Sequence, residues 1–206
     1  MSTASAYARL QKLGVPAART AEVAAVLGQS LVTAAQTVRR LAKLGLVQPM
    51  RHGLVWLLPE PIDPWRALPY LAAPYPAYAS LYSALYLRGA LSQLPGSNFA
   101  VTLGRTQRIR TSVGTFSLHR VAPNVFGGFE VLPSGAHLAT LEKALFDLAY
   151  LSATRSRLFA QPPELELPKR LRIAHFSLWL DAIEATRRRT QVAAQLKRLL
   201  KQDRLR

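Results

Sequence analysis

The sequence predicts an α+β fold, and three observations carry that expectation. The first 45 residues repeat apolar side chains at helical spacing and then give way to a short apolar hairpin pattern. Residues 99 to 132 hold three strand-like runs separated by turn residues. Helical patterns at 77–93 and 137–152 flank those runs, and a strongly basic helical pattern closes the chain.

The elements follow in order. Ala6, Leu10 and Leu13 are spaced i, i+4, i+7, with Gly14 as a stop. Thr20 stands where an N-cap belongs, ahead of AEVAAVL, and Gly28 ends that helix. Ser30 is the N-cap candidate of a third helix, LVTAAQTVRRLAKL, which stops at Gly45. The apolar face of this third helix is Leu31, Ala34, Ala35, Val38, Leu41 and Ala42. The opposite stripe is Thr33, Gln36, Thr37 and Arg40, side chains that reach phosphates and base edges. Leu44 is out of pattern and is expected under the hairpin that follows. Leu46 to Pro49 and Leu54 to Leu58 read as two strands, and Met50, Arg51, His52 and Gly53 as their turn.

Three helices, a tight Gly28-Gln29-Ser30 turn and a basic hairpin make residues 1–60 a winged helix-turn-helix. The candidate DNA-binding residues are Ser30, Thr33, Gln36, Thr37 and Arg40 on the third helix, and Arg51 and His52 in the hairpin. The third helix would enter the major groove, and Arg51 would reach adjacent phosphates or the minor groove. A protein-interaction module of the same shape is the competing reading. The proposed groove stripe contains no acidic residue, and Glu22 and Glu60 are the only acids in the segment, which favours DNA.

Charge supports a polyanionic partner. The chain has 206 residues, with 27 Lys plus Arg against 11 Asp plus Glu, a formal net charge of +16. An excess of this size suits DNA, RNA or an anionic membrane surface. Residues 1–60 carry 7 basic and 2 acidic residues, 61–152 carry 7 and 4, and 153–206 carry 13 and 5. The charge is therefore spread along the chain and heaviest at its end. Cysteine is absent, which removes disulfides, thiolate metal sites and cysteine nucleophiles. MSTASAYARLQKLG has no long apolar run, so no signal peptide is expected and the location is read as cytoplasmic. The uncharged stretch from Ala67 to Leu87 is broken by Pro69, Pro74 and Pro76, so a membrane span is not expected there.

PEPIDPW at 59–65 and the prolines after it mark a Pro-rich linker at 61–76, irregular in structure, before a second α+β domain at 77–206. Ala77 to Gln93 reads as a helix bearing Tyr78, Tyr82 and Tyr86 at i, i+4, i+8; core packing is the ordinary use of such a stripe, and base stacking the other. Strands are expected at 99–103, 115–121 and 129–132, and a helix from His137 to Ser152. Arg105, Arg108 and Arg110 fall in a basic strand or hairpin. Arg108 and Arg110 share a face there, either touching DNA backbone or guarding a sheet edge. From Pro168 onward the chain reads as basic helix, with Arg187, Arg188, Arg189, Lys197, Arg198 and Lys201, either a solvated face or a phosphate contact.

No catalytic motif is found. G-x-S-x-G, P-loop and H-E-x-x-H patterns are missing, and His52, His119, His137 and His175 are isolated. Glu142 and Asp147 are five apart and do not share a helix face, whereas Lys143 and Asp147 are four apart and suit an ion pair. The expectation is a protein that is not an enzyme and uses neither cofactor nor metal.

Three segments resemble the AbiEi antitoxin family of type IV toxin–antitoxin systems, which serve abortive-infection defence. They are SALYLRGAL at 83–91, TFSLHRVAPNVFGGFE at 115–130 and LEKALFDL at 141–148, in the family's order and behind a winged helix. The resemblance implies a repressor that binds inverted repeats in the promoter of its own operon. It implies a functional partner, a nucleotidyltransferase-like toxin, countered by the C-terminal domain without a stable complex. Carried onto this chain, Ser30, Thr33, Gln36, Thr37, Arg40 and Arg51 would bind DNA, and no catalytic residue is implied. The Arg-rich tail departs from the family. Two other readings compete: an RNA-binding module using the basic C-terminal helices, and a nuclease-like protein with degenerate motifs.

Overall fold

The computed structural model describes residues 1–153, 159, 164–168 and 171–202. Its first part runs α1 (Thr3–Gln11), β1 (Ala17–Arg19), α2 (Thr20–Leu27), α3 (Leu31–Lys43), β2 (Gln48–Arg51) and β3 (Leu54–Trp56). The three strands form an antiparallel sheet in the order β1-β3-β2. The helices bury Leu10, Val23, Leu27, Ala34 and Leu41 against Val47, Val55 and Leu57.

Several expectations are corrected here. β1 is an addition: AAR has no alternation to announce it, and it forms because β3 offers a free edge at Ala17–Arg19. Thr20 is the first helical residue of α2, and Arg19 is the cap; its backbone N–H donates to the Glu22 carboxylate at 2.6 Å. Met50 leaves the turn, bulges out of register and is buried, so His52 and Gly53 alone make the turn. Leu44 is 63% exposed, because the last turn of α3 projects past the sheet; Leu46 and Val47 supply the apolar contact instead.

The expected irregular linker contains a helix, α4 (Pro64–Ala72). Asp63 caps it, accepting from the N–H groups of Trp65 and Arg66 at 2.8 and 3.4 Å. Pro64 costs nothing in the first turn, where its N–H would lack a partner anyway. Pro69 removes an internal hydrogen bond, a penalty of about 3 kcal/mol, which burial of Leu68 and Leu71 at roughly 1.5–3 kcal/mol each offsets.

The rest continues with β4 (Ala77–Ala79), α5 (Leu81–Leu87), β5 (Asn98–Thr102), β6 (Gln107–Thr111) and β7 (Gly114–Arg120). A 3-10 turn (Pro123–Val125), β8 (Phe129–Val131), β9 (His137–Ala139), α6 (Leu141–Ser152), α7 (Ile173–Asp181) and α8 (Thr186–Gln202) follow. Two helices expected from periodicity thus begin as strands. Ala77–Ala79 and His137–Ala139 lie side by side in the sheet, and Thr140 caps α6 by accepting from the Lys143 N–H at 3.2 Å. The basic C-terminal helices are present as α7 and α8, while residues 169–170 and 203–206 of that segment lie outside the described residues.

The six-stranded mixed sheet has the order β6-β7-β5-β4-β9-β8. One face, through Ala100, Ile109, Phe116 and Leu118, packs on α4 and on Met50, Leu54 and Trp56 of the first sheet. The other face, through Tyr78, Phe99 and Val101, is covered by α5, α6 and apolar residues of α7 and α8. Tyr78 is buried there, and Tyr82 packs edge-on against Phe99 and Phe159, so these two rings serve the core. Among the described residues no helix is long and apolar enough to cross a membrane.

Candidate nucleic-acid interface

The approach to α3 is set by backbone chemistry. α2 ends at Gly28 in the left-handed conformation (φ 63°), which a side chain would strain. Two residues later Ser30 caps α3, its Oγ accepting from the Thr33 N–H at 3.2 Å. The Ser30 and Thr33 hydroxyls also lie 2.9 Å apart. Ser30 is thus engaged in building the helix start.

The exposed face of α3 differs from the expected stripe. Thr33, Gln36 and Arg40 are exposed as expected, but Thr37 is buried at 2% exposure. The Thr37 hydroxyl donates to Gln29 Oε1 at 3.1 Å and accepts from Arg40 Nη2 at 3.2 Å. Thr37 therefore positions Arg40 and does not itself reach out. At about 100° per residue the exposed face is centred near Gln36 and Lys43, rotated roughly 60° from the stripe read in the sequence. That rotation brings Val32, Arg39 and Lys43 onto the surface, three residues the sequence reading missed. Leu31 is also exposed, at 59%, because the first turn of α3 has no element packed over it. The face presents three cations, a carboxamide, a hydroxyl and one apolar side chain, Val32, with no acid. This is the chemistry that meets phosphates, base edges and thymine methyls.

The structure separates the other predicted residues into two places. Arg51, His52 and Arg105 come together in one cleft between the β2–β3 hairpin and the six-stranded sheet, joined there by Arg19 and Arg120. Arg108 and Arg110 are exposed on the edge strand β6 and flank the buried Ile109, so they share a face as expected. Their cross-strand partners are Ser117 and Thr115, whereas Ile109 pairs with Phe116. The two arginines consequently stand on the α5–α6 side of the sheet, opposite the face that carries the N-terminal sheet. Arg108 Nη2 donates to Ser97 Oγ at 3.4 Å. β6 also adjoins the hairpin, where the Ser112 N–H donates to the Met50 carbonyl at 2.9 Å.

No family model matches this chain, and no curated relative is found for it.

A second set of polar and charged side chains lies in the core of the second sheet. Lys143 Nζ donates to Asp147 Oδ1 at 2.6 Å and to the Val125 carbonyl at 2.7 Å. Asp147 Oδ2 accepts from Ser80 Oγ at 2.7 Å and Tyr78 OH at 3.0 Å. Lys143 and Asp147 are both 0% exposed, and the Lys143 ammonium sits 4.7 Å from the Phe146 ring and 5.2 Å from that of Trp179. Burial raises the Asp147 carboxyl above its ordinary range, opposed by Lys143 and the hydroxyl donors. Burial and the facing carboxylate hold the Tyr78 phenol well above its own. Each polar group here is paired inside the fold and none reaches a cleft, so the cluster is a brace for the core. The i, i+4 ion pair is the one expected between Lys143 and Asp147.

His119 is buried on β7, shares a hydrogen bond with Ser117 Oγ (2.9 Å) and stacks on Phe99. Burial lowers its pKa to about 4. The unfolded imidazole, near 6.5, takes a proton first as pH falls. Its contribution to stability is therefore complete above pH 6.5 and is lost as pH drops toward 4, with a slope of up to about 1.4 kcal/mol per pH unit. Urea unfolding between pH 7 and 4.5 should show this slope, and His119→Gln should flatten it; an unchanged slope in the variant would assign it to other groups.

Proposed function

We propose that the chain is a sequence-specific DNA-binding transcriptional repressor of winged helix-turn-helix type, acting in the cytoplasm and without catalytic activity of its own. The observation that carries this reading is the outward face of α3. Thr33, Gln36, Arg39, Arg40 and Lys43 stand exposed on one helix, behind a tight glycine turn, with no carboxylate among them. Helix–strand–helix–helix–strand–strand order supports it as well, since it makes α3 the second helix of a helix-turn-helix with a hairpin behind it. In this account Gln36 and Arg40 read base edges in the major groove, Val32 meets a thymine methyl, and Arg39 and Lys43 take phosphates. Arg51 and His52 supply the wing contact.

The same resemblance of residues 83–91, 115–130 and 141–148 extends the proposal to an antitoxin of a type IV toxin–antitoxin system. Its operator would be an inverted repeat upstream of its own gene, and its functional partner a nucleotidyltransferase-like toxin held in check without a stable complex.

Binding to a duplex of that upstream region, compared with a scrambled duplex and a structured RNA hairpin at two salt concentrations, tests the reading. The upstream duplex should win by about 10³-fold or more. Equal binding to both duplexes with a steep salt slope would reduce the interaction to charge. Tighter binding to the RNA would move the function to Arg187, Lys197, Arg198 and Lys201, which are exposed on α8.

A further inference from the structure

Between the β2–β3 hairpin and the six-stranded sheet lies a half-open cleft of about 490 Å³. Arg19, Arg51, Arg105 and Arg120 line it with His52, and among the described residues no Asp or Glu does. These arginines arrive from the cap of α2, the hairpin, the loop after β5 and the end of β7. Among the described residues none of the four makes an ion pair. Arg19 Nη2 donates to the Ala73 carbonyl at 3.2 Å. Four guanidinium groups around one concavity repel each other and focus a positive potential into it.

The walls add a second chemistry. Tyr70 and Tyr75 both line the cleft. The Tyr75 ring lies against Gly104, where a Cβ would come within 2.8 Å of its Cδ2, so the missing side chain is what lets the ring lie on the backbone. Thr102 braces this wall, its Oγ1 donating to the Pro76 carbonyl at 2.9 Å and accepting from the Gly104 N–H at 3.1 Å. The volume falls within the range of small-molecule sites, roughly 300–1,000 Å³.

We propose that this cleft binds a phosphorylated small molecule of the nucleotide class, bearing two or more phosphates held by the arginines and a planar base set against Tyr75. Arginine suits the role because its planar fork grips phosphate oxygens in pairs. Backbone phosphates of DNA share this chemistry, but a half-open concavity walled by aromatic rings fits a compact ligand better than a continuous strand. The proposal stands apart from DNA reading by α3, since no residue of α3 lines the cleft.

Calorimetric titration of the full chain with ATP, tripolyphosphate and adenosine, without divalent cations, tests it. ATP should saturate one site, tripolyphosphate should bind more weakly, and adenosine should not bind. Arg105→Ala and Arg120→Ala should each weaken ATP by roughly 10-fold or more, as loss of a charged hydrogen bond does. Tyr75→Ala should weaken ATP and leave tripolyphosphate unchanged, while Arg187→Ala on α8 should alter neither. Circular dichroism of each variant checks that it folds. Arg40→Ala should bind ATP like the wild type, which separates this site from base reading by α3. Non-saturable binding, or equal weakening by Arg187→Ala, would overturn the proposal. So would failure of ATP to saturate while a random duplex loses affinity in the cleft variants, because the cleft would then hold DNA backbone.

Discussion

Replacing Asp147 with Ala should destabilise the protein by about 3–5 kcal/mol, because it strands a buried ammonium. Lys143 has no route to solvent: it is 0% exposed, its stem lies under Gly128, and rings surround its head. Without the carboxylate its remaining acceptor is the Val125 carbonyl, and the hydroxyls of Ser80 and Tyr78 also lose theirs. A double variant, Lys143→Met with Asp147→Leu, should recover part of the loss, since it removes both charges and leaves only two neutral hydroxyls and one carbonyl to satisfy. Urea unfolding measures both, with an unchanged m-value marking a true stability effect. A cost below about 1 kcal/mol for Asp147→Ala would mean that water reaches the site.

This network also joins two of the segments on which the family resemblance rests. Gly128 belongs to one and Lys143 to the other. A Cβ on Gly128 would come within 2.6 Å of Trp179 Cζ2 and 3.0 Å of Lys143 Cγ and Cδ. Glycine there is a packing requirement, and its φ of 72° adds a backbone one. Val125, Gly128, Lys143 and Asp147 of those segments therefore belong to the brace of the core.

The second large effect is expected at Arg40. In the proposed function its guanidinium meets a guanine edge, and a bidentate pair of this kind discriminates by about 1–3 kcal/mol. Arg40→Ala should accordingly cut preference for the operator by roughly 10- to 100-fold. Affinity for scrambled DNA should change much less, because one cation is lost from a strongly basic chain. Thr37 holds Arg40 in place at 3.2 Å, so Thr37→Val should produce a weaker form of the same defect without touching DNA itself.

The legible parts of this molecule were those with strong local signals. α3 could be read because its core residues recur at helical spacing, and Ser30 because a cap hydroxyl stands two residues after a stopping glycine. Thr37 departs from the expected stripe because a polar side chain need not face outward. It lies on the inner flank of the helix, and its hydrogen bond to Gln29 compensates its burial. α4 was hidden by its prolines: Pro64 is tolerated in the first turn, and burial of Leu68 and Leu71 offsets the cost of Pro69 inside the helix. β4 and β9 were hidden by their length: each has three residues and merges with the helical pattern after it. Arg51, His52 and Arg105 stand out singly in the sequence, but the cleft they share does not, since Arg19 and Arg120 are about 100 positions apart and only the packing of the first sheet on the second brings them together.

The measurement that tests the central claim most directly is methylation protection of guanine N7 on the bound upstream duplex. N7 lies in the major groove, where α3 is proposed to sit. The wild type should protect guanines within each half of an inverted repeat, and Arg40→Ala should lose protection at one defined guanine in each half. Tight binding without any N7 protection, or protection unchanged in Arg40→Ala, would contradict base reading by α3.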